Sequence, residues 1–589
     1  MKLYINLFKE INPKKLTPTI EDSVDSYYLD FHGRLLEEGS TNNISLEELE
    51  NYKINYTNAV KSYTSFIVKL STITIDNKHI RSFTFNGLPL FWLTSISEKH
   101  YFHWLMKIML LREILADNIS FFKEYTEIVI LIPSQLKDVK LLLKEVFSPY
   151  NIPFNFFDIR EPIHSNVTLT LFKISLKTIF LFFKMKSPEL TYDLHSITFL
   201  LTGKITDYTK NFFTNIHKII EQGKDTISQV PLYYWTNPLV QLEYKVPYLF
   251  WETRLSLFTL IKIFYTQFKT LHSIRNIDRS KNIKVNNISF PASLLIQEIE
   301  CVFIQKNNSL LMSYWLNAYK KTLAHKTKFF YEDEFYPAGR AISFGLKDTE
   351  TFGVQHSMIV KNHTVYHISD VEWKPSDQNM NDGLPLPSNF IVWGQYFKTQ
   401  FLSFNSLKDN FIYIAGNPTY INRSVNVTTT KSNIPEVLYC LTTPDIFSKE
   451  KKIIKDTLDA IPQLRLKVRY HPLWEFDKDL VLDFFKNLNI SFSNEKNIFN
   501  DINKSTFVIT GSHSGVWLDS IVANKPVVRL ITSFQDDIEQ NNLMYNVGNE
   551  KEMKNSIQLI LKENKSTLKN DLLYLKNDRW VKLLEKTNA

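Results

Sequence analysis

The segment TFVITGSHSGVW, residues 506–517, decides the fold of this chain. It begins with the apolar run Thr506–Thr510, which is typical of a buried strand, and continues through a turn of glycine, serine and histidine. The residues that follow, Leu518–Ala523, have the pattern of a helix. The chain has only 14 glycines in 589 residues, so two glycines within five positions mark an unusual turn. A strand, a tight polar turn and a helix form the repeating unit of a parallel sheet, and we therefore predict an α/β fold.

The same alternation extends to both sides of this segment and predicts a Rossmann-like domain over residues 430–589. A polar stretch at 422–433, rich in serine and threonine, is predicted to be the linker that precedes it. The further strands predicted in this domain are Val437–Leu441, Leu464–Tyr470 and Pro526–Leu530, and the helices are Phe447–Ile461 and a stretch ending near Leu488.

Residues 1–425 are predicted to form a first domain with the same kind of alternation. Glu127–Pro133 is an apolar run ended by proline, as expected of a buried parallel strand. Two later predicted strands end in glycine, at Gly394 and Gly416. Residues from about 160 to 330 are helical and aromatic in pattern, and we interpret them as an elaboration of this domain.

Two further elements are predicted near the start of the first domain. Residues 65–75 (SFIVKLSTITI) have a strand-like pattern. A strongly amphipathic helix is predicted from Ser97 to Ala116, with Ser97 as its N-cap. His100 and His103 would then lie three residues apart on one helix face, where we expect them to border the core rather than to contact an acceptor.

Charge and cysteine content exclude several classes of function. The net charge of +8 is spread along the chain without a run of basic residues, so no nucleic-acid partner is predicted. Cys301 and Cys440 provide neither a disulfide framework nor a metal site, which indicates a reducing compartment. Lys9 and Glu10 interrupt the N-terminal apolar residues before a signal-peptide core forms. We therefore expect a cytoplasmic protein, with weak attraction to an anionic membrane face as a further hypothesis.

Polar residues follow two of the predicted strands in the C-terminal domain. His471 and Pro472 come after one strand, and the turn Gly511–Gly515 comes after another. The carboxyl ends of parallel strands are where ligands bind in such sheets, and helix N-termini there attract anions. We interpret these residues as a phosphate site in which serine hydroxyls and a histidine donate hydrogen bonds. The alternative for Ser512 or Ser514 is a simple helix cap.

These residues resemble a known family. A strand ending in His-Pro, a serine-rich turn and the segment NKPVV (524–528) resemble the donor domain of GT-B glycosyltransferases of bacterial surface-polysaccharide synthesis. The similarity is to polysialyltransferases and sialyltransferases, capsule Kdo transferases and CDP-glycerol glycerophosphotransferases. It implies a GT-B architecture, with two Rossmann-like domains facing a cleft. The residues that it implies in binding the donor nucleotide are His471, Pro472, Thr510, Gly511, Ser512 and Ser514.

A second part of the chain resembles the closing part of the N-terminal domain in the same families. It comprises the segments Gly353–His356, Leu384–Pro387, Val392–Gly394 and Gly416–Pro418. The resemblance adds Gly416 and Asn417 to the residues expected at the donor. The chain departs from the family pattern at His513, which separates the two serines, and at Ser357, where glycine is usual.

The catalytic base is expected in the first domain. His356 is the first candidate, because imidazole titrates near neutrality, and a hydrogen-bonded turn histidine is the alternative. Asp382, in Asn-Asp-Gly, is the second candidate; it resembles an acidic-Asp-Gly motif of sialyltransferases, although such a sequence is also typical of a turn. No Asp-x-Asp follows a predicted strand, so we predict that no metal is needed.

The resemblance implies a glycosyltransferase that moves an acidic sugar, such as sialic acid or Kdo, from a CMP donor onto a capsule or lipopolysaccharide glycan. No cofactor is expected, and the predicted partners are the nucleotide-sugar donor and a glycan or lipid-linked glycan acceptor. The alternatives are a CDP-polyol phosphotransferase, a sugar-nucleotide 2-epimerase and a non-catalytic assembly protein. Residues 171–186 mix lysines with apolar side chains, which suits either a core helix or a membrane interface.

Overall fold

The computed structural model describes most of the chain. The described residues are 1–8, 26–31, 43–44, 46, 49–100, 103–133, 136–159, 167–184, 197–201, 216, 232–234, 248–250, 256–322, 327–332, 335–361, 363–376, 382–421, 435–442, 444–471, 478–495, 497–511, 514–531, 543–562 and 573–584. The predicted linker at 422–433 and the residues Pro472, Ser512 and His513 lie outside them.

The strands are numbered in chain order. They are β1 Lys2–Asn6, β2 Ser26–Asp30, β3 Asn43–Ile44, β4 Thr74–Ile75, β5 Lys78–His79, β6 Thr84–Phe85, β7 Leu88–Pro89, β8 Glu127–Pro133, β9 Phe154–Ile159, β10 Ile197–Leu201, β11 Leu232–Tyr234, β12 Tyr248–Phe250, β13 Asn282–Val285, β14 Ile288–Pro291, β15 Lys328–Tyr331, β16 Glu350–Val354, β17 Asn389–Val392, β18 Ile412–Ile414, β19 Glu436–Cys440, β20 Arg465–Arg469, β21 Ile490–Phe492, β22 Phe507–Gly511, β23 Val527–Leu530 and β24 Met544–Val547.

The α-helices are numbered in the same way. They are α1 Tyr52–Leu70, α2 Trp104–Asp117, α3 Ile119–Lys123, α4 Val139–Phe147, α5 Val167–Lys184, α6 Leu257–Arg275, α7 Ala292–Gln305, α8 Asn307–Tyr319, α9 Pro337–Gly345, α10 Asp370–Trp373, α11 Gln395–Ser403, α12 Pro444–Asp459, α13 Lys478–Phe484, α14 Ile498–Lys504, α15 Val516–Val522, α16 Glu550–Lys562 and α17 Asp578–Leu584.

Three parallel sheets carry the fold, and helices alternate with their strands, so the predicted α/β class is confirmed. Their strand orders are β3-β2-β1-β8-β9, β12-β11-β10-β15-β16-β17-β18 and β21-β20-β19-β22-β23-β24. In each sheet the first strand lies beside the fourth and the order reverses between them. This is the strand order of the doubly wound Rossmann fold, and it occurs three times in the described part of the chain.

The chain divides into two compact units. The first contains Met1–His356, His363–Ile421 and Lys576–Ala589, and the second contains Ser357–Asn362 and Asn422–Leu575. Lys576–Ala589, predicted as part of the C-terminal domain, therefore belongs to the first unit. The region predicted as a helical elaboration also contributes strands β10 to β12 to the seven-stranded sheet.

Residues 65–75 are not a strand as predicted. Tyr56, Tyr63, Phe66 and Leu70 are buried along one side of helix α1, at intervals that suit the helical repeat. The β-branched residues that suggested a strand fall mostly at the end of this helix and in the short hairpin of β4 and β5. Burial of one helix face therefore outweighed local strand propensity.

The helix predicted from Ser97 begins instead at Trp104. Lys99 adopts a left-handed backbone conformation with φ 55°, and its ammonium lies 2.6 Å from the buried carboxylate of Glu372. His103 caps the helix, because its Nδ1 accepts a hydrogen bond of 3.2 Å from the backbone N–H of Leu105. His100 and His103 therefore do not share a helix face. A buried ion pair holds the preceding turn away from the helical conformation.

One apolar core of the second unit lies on one face of its six-stranded sheet. Alternate residues of β19, β20 and β22 point to that face and pack against α12 and α16. The opposite face carries Lys467, Arg469, Thr510 and Arg529 at the intervening positions. The opposite face therefore combines charged and polar side chains with buried apolar residues, among them Leu438, Val508 and Val527.

Candidate functional site

The six-stranded sheet brings the predicted phosphate residues to one edge. Strands β20 and β22 run parallel to β19 and lie on either side of it. His471 follows β20, and the turn that begins at Gly511 follows β22, so both lie at the carboxyl edge of the sheet. With neighbouring strands about 4.8 Å apart, the two strand ends are about 10 Å apart. The turn also lies beside β19, where the strand order reverses.

His471 is half-buried at the end of β20. Burial lowers the pKa of its imidazole below the ordinary value, which favours the neutral ring at physiological pH. The preceding residue, Tyr470, stacks on Phe492 with ring centres 5.2 Å apart and thereby fixes the direction in which the strand ends. A neutral imidazole carries one N–H donor, which is suited to a phosphate oxygen.

A buried carboxylate fixes the strand that carries His471. Asp501 on α14 has no solvent exposure, and its Oδ2 accepts a hydrogen bond of 2.6 Å from Nη1 of Arg469. Its Oδ1 lies 3.2 Å from Nζ of Lys467, and Ser493 also donates to the same carboxylate. Since α14 leads directly into β22, one acidic side chain connects the end of β20 to the approach of β22.

Gly511 is required by packing within the protein. A Cβ at this position would lie 2.3 Å from Oε1 of Glu450 and 3.0 Å from Cγ2 of Thr442. Glu450 on α12 is fully buried, and its Oε2 accepts a hydrogen bond of 3.2 Å from the hydroxyl of Tyr439. The close approach of α12 therefore explains this glycine without a ligand, and a donor role for Gly511 stays a prediction about its backbone.

Ser514 lies one position before Gly515, the N-cap of the helix that follows the turn. Its Oγ accepts a hydrogen bond of 3.3 Å from the backbone N–H of Val516, and its own N–H donates to the carbonyl of Gly511. At Gly515 no described atom lies within 4 Å of an added Cβ. Ser514 is therefore held within the turn, but it is not the N-cap that the alternative interpretation predicted. Phosphate binding by Ser514 stays a prediction.

Thr510 lies under the turn and is fully buried. Its hydroxyl has no hydrogen-bond partner among the described residues. In the sheet it is aligned with Arg529 of β23, which is also fully buried. The guanidinium of Arg529 lies 5.9 Å from the ring centre of Trp517, and Nη1 is 3.4 Å from Oδ1 of Asn546. A buried positive charge therefore lies beside the turn.

In the first unit, His356 follows β16 at the carboxyl edge of the seven-stranded sheet. It is half-buried, and its ring meets the edge of Tyr336 with centres 5.4 Å apart. The preceding Gln355 is buried and accepts a hydrogen bond of 3.0 Å from the backbone N–H of Trp393. The loop that carries His356 is thus bound to the end of the next strand, β17.

Gly416 and Asn417 also belong to the first unit, two strands from His356 in the seven-stranded sheet. Gly416 has a φ of 83°, a backbone conformation that favours glycine. Its carbonyl accepts a hydrogen bond of 3.0 Å from Nε1 of Trp580. Asn417 is buried, and its Oδ1 accepts a hydrogen bond of 2.9 Å from the backbone N–H of Thr419. Both residues shape the turn after β18, and their predicted contact with the donor is untested.

Asp382 is 2% exposed. Both carboxylate oxygens accept hydrogen bonds from Ser376: Oδ1 accepts one of 2.7 Å from the backbone N–H, and Oδ2 accepts one from the hydroxyl. The backbone carbonyl of Asp382 accepts a hydrogen bond of 2.9 Å from Nε1 of Trp92. The segment after it leads into the amino end of β17, beside a cavity of about 250 Å³. The structure therefore places Asp382 away from the edge that carries His356.

No group of three or more His, Cys, Asp and Glu side chains could hold a metal ion in the described part of the chain. Metal independence itself stays a prediction. Within the same residues, no helix has the length and apolar composition needed to cross a membrane.

Comparisons with known proteins leave the family open. No family model and no curated protein matches the chain. Among solved structures, it resembles the lipopolysaccharide outer core galactosyltransferase WaaB, at 12% identity and TM-score 0.39, over 66% of this chain and 97% of that one. It also resembles the UDP-GlcNAc 2-epimerase of Neisseria meningitidis bound to UDP-GlcNAc, at 12% identity and TM-score 0.38, with the same coverage. TarM matches at 10% identity and TM-score 0.38, over 63% and 92%. At such scores the superpositions are loose, and the fold assignment rests on the strand orders.

Three buried charged residues near the candidate site were not predicted from the sequence, namely Glu450, Asp501 and Arg529. Arg529 had a visible signal, because it is the one charged residue in the apolar strand β23. Charged side chains are almost never fully buried unless they are paired or have a task. Asp501 and Glu450 lie on helices with ordinary mixed sequences, so nothing in the local pattern indicated their burial.

Proposed function

We propose that this chain is a glycosyltransferase of the GT-B type that transfers an acidic sugar from a CMP donor to a bacterial surface glycan. The observation that supports the proposal is the position of His471 and the Gly511–Ser514 turn at one carboxyl edge, on either side of β19. Doubly wound sheets bind nucleotides at this edge, where the strand order reverses.

The chemistry is a transfer between two oxygens. The acceptor hydroxyl forms a bond to the anomeric carbon of the sugar, the bond from that carbon to the phosphate oxygen breaks, and CMP leaves with the electron pair. His471 would donate its N–H to the leaving phosphate, and the buried charge of Arg529 would favour the anion. His356 would take the proton of the acceptor hydroxyl.

Binding of free nucleotides tests the donor site directly. We expect CMP to bind more tightly than UMP or GMP in isothermal titration calorimetry. His471→Ala should weaken CMP binding by about 10- to 100-fold, the value of a hydrogen bond to a charged group. His272→Ala is the matched control, because His272 lies exposed on α6, in the other unit. Equal CMP affinity in wild type and His471→Ala would contradict the proposed donor role.

Turnover separates the proposed reaction from its alternatives. With a labelled CMP-sugar and lipopolysaccharide or capsule fragments, we expect label in the glycan, and His356→Ala should lower kcat by at least 100-fold while CMP affinity is kept. Activity that persists in EDTA would support metal independence. Transfer from CDP-glycerol alone would favour the polyol phosphotransferase. Conversion of a UDP-sugar in the absence of acceptor would favour the epimerase. If every donor stays intact, the non-catalytic assembly protein is favoured.

A further inference from the structure

Two neighbouring helices of the first unit, α5 and α6, have exposed apolar side chains at the same sequence spacing. On α5 these are Leu169, Phe172 and Leu176, each about half exposed. On α6 they are Phe258, Ile261 and Tyr265, with exposures of 77%, 52% and 69%. Both sets follow the spacing i, i+3, i+7, which places each set on one side of its helix. We call these six residues the apolar stripes.

The stripes are concentrated in a way that scattered surface residues are not. Among the described residues, half of the twelve exposed large hydrophobic side chains lie on these two helices. The helices pack against each other and both pack against α7. Nη1 of Arg275, at the end of α6, donates a hydrogen bond of 2.6 Å to Oγ1 of Thr168, at the start of α5. The two helices therefore lie side by side, and clustered exposed apolar surface of this kind indicates an interaction site.

Another side of each helix is buried in the core. On α5, Leu171 and Ser175 are buried, and on α6 the buried residues include Leu260, Phe264 and Leu271. At 100° per residue these positions centre about 110° around the helix from the stripes. The exposure of the stripes is therefore a property of the folded first unit rather than of a loosely packed helix.

The charge beside the stripes has a single sign. Lys173 and Lys177 follow stripe positions on α5, and Lys262 and Lys269 lie in the same sector of α6; all four are exposed. Neither helix contains an Asp or Glu residue over its whole length. A helix with an apolar side and adjoining lysines is typical of segments that lie in the interface of an anionic membrane.

We propose that the outer side of α5 and α6 docks on an anionic lipid surface, with the apolar stripes inserted between headgroups and the lysines against lipid phosphates. No described helix could span a bilayer, so the contact would be peripheral. The proposal fits a lipid-linked acceptor but does not depend on glycosyl transfer, since lipid binding needs no donor. The membrane-interface interpretation of residues 171–186 thus includes a second helix, α6, and names the side chains that would contact the lipid.

Co-sedimentation of the full chain with vesicles tests this surface. We expect binding to vesicles of phosphatidylcholine with one quarter phosphatidylglycerol, and little binding to pure phosphatidylcholine. The double variant Phe172→Ser, Phe258→Ser should lose at least tenfold in affinity. Ile54→Ser with Leu141→Ser is the matched control, because both residues are exposed apolar side chains outside the stripes, and it should bind as wild type does.

The lysines are tested in the same assay. Each lysine near an anionic surface contributes about fivefold, so Lys173→Gln with Lys262→Gln should weaken binding by roughly 25-fold. Lys78→Gln with Lys551→Gln, two exposed lysines elsewhere, should bind as wild type does. Binding of wild type should also weaken as salt is raised.

Three results would overturn the proposal. The first is equal binding to both kinds of vesicle. The second is equal affinity of the stripe variant and its control. The third is no vesicle binding together with a concentration-dependent dimer that Phe258→Ser abolishes in analytical ultracentrifugation, which would assign the stripes to a second copy of the chain. CMP titration of the same preparations reports the donor site separately, so the two proposals can fail independently.

Discussion

Single residues around the turn after β22 show how packing and ligand binding compete to explain a sequence motif. Gly511 and Gly515 look equivalent in the sequence, but the structure gives them opposite surroundings. Gly511 is confined by Glu450 and Thr442, whereas the position beside Gly515 is open among the described residues. Only a comparison of neighbours distinguishes a glycine required by packing from one that a ligand could approach.

Gly511→Ala should destabilise the protein by about 1–3 kcal/mol, because the new methyl group would overlap the Glu450 carboxylate. Gly515→Ala is the matched control and should leave stability unchanged or raise it slightly, since its φ of −67° suits any residue. The midpoint of thermal unfolding measures both effects. If Gly511→Ala unfolds at the wild-type temperature, the close contact with Glu450 is not rigid.

His471 should make folding stability depend on pH. Its pKa in the folded protein is lowered by burial, so the unfolded chain takes up the proton first as the pH falls below about 6.5. The stability contributed by the neutral ring is present above that pH and is lost progressively below it. His471→Gln should therefore lose less stability than wild type between pH 7.5 and 5.5 in urea unfolding. Parallel losses in the two proteins would contradict the assigned burial.

At the scale of elements, Asp501 connects β20 to the helix that precedes β22. Its carboxylate interacts with Arg469 and Lys467 on one strand while its own helix feeds the next part of the site. The position of His471 relative to the turn thus depends on a buried charge that touches neither. We regard Asp501 as a positioning residue for the proposed donor site.

Asp501→Asn should cost about 1–3 kcal/mol of stability, because it removes the buried carboxylate that pairs with the partly buried Lys467 and Arg469. It should also weaken CMP binding, since the end of β20 is released. Asp483→Asn removes an exposed acid that pairs with Lys486 and should change neither property. Urea unfolding and CMP titration of both variants check this. Normal CMP affinity in a folded Asp501→Asn protein would show that the strand ends hold their positions without it.

Elements with strong local patterns were predictable from the sequence. Strands β8, β19, β22 and β23 agree with predicted strands, because each is a short, mostly apolar run bounded by polar or proline residues. Strand β20 was also predicted, and in it basic residues alternate with apolar ones. Helix α1 was misread as partly strand, since its buried face is rich in β-branched and aromatic residues. The strands of the first five-stranded sheet before β8 are too short and mixed to show a pattern. The same holds for the candidate site. His471 and the turn could be predicted from local sequence patterns, whereas the burial of Asp501 and Glu450 depends on contacts between distant segments.

At the scale of the whole molecule, three sheets repeat one strand order while the chain returns to its first unit after building the second. Helix α17 makes this return. Trp580 is fully buried, and its Nε1 donates a hydrogen bond to the carbonyl of Gly416. Nη1 of Arg579 donates a hydrogen bond of 2.9 Å to the carbonyl of Ile414. The carbonyl of Leu583 accepts 2.9 Å from Nζ of Lys328.

Trp580→Ala should destabilise the first unit by about 3–5 kcal/mol, because it removes a large buried side chain beside Phe330 and leaves the Gly416 carbonyl unpaired. Lys582→Ala, on the exposed side of the same helix, should have no effect. Hydrogen exchange measured by mass spectrometry should show faster exchange in β15 and β18, and unchanged exchange in β19 and β22. Uniformly faster exchange would mean that the two units unfold together.

The return of α17 has a consequence for synthesis on the ribosome. Residues 1–421 emerge first, but the segment that covers β15 and β18 emerges only after all of residues 422–575. At translation speeds of 5–20 residues per second, the nascent first unit waits roughly ten to thirty seconds for its missing helix. During that interval the site for Trp580 is uncovered, and a chaperone that binds apolar surface would find it there.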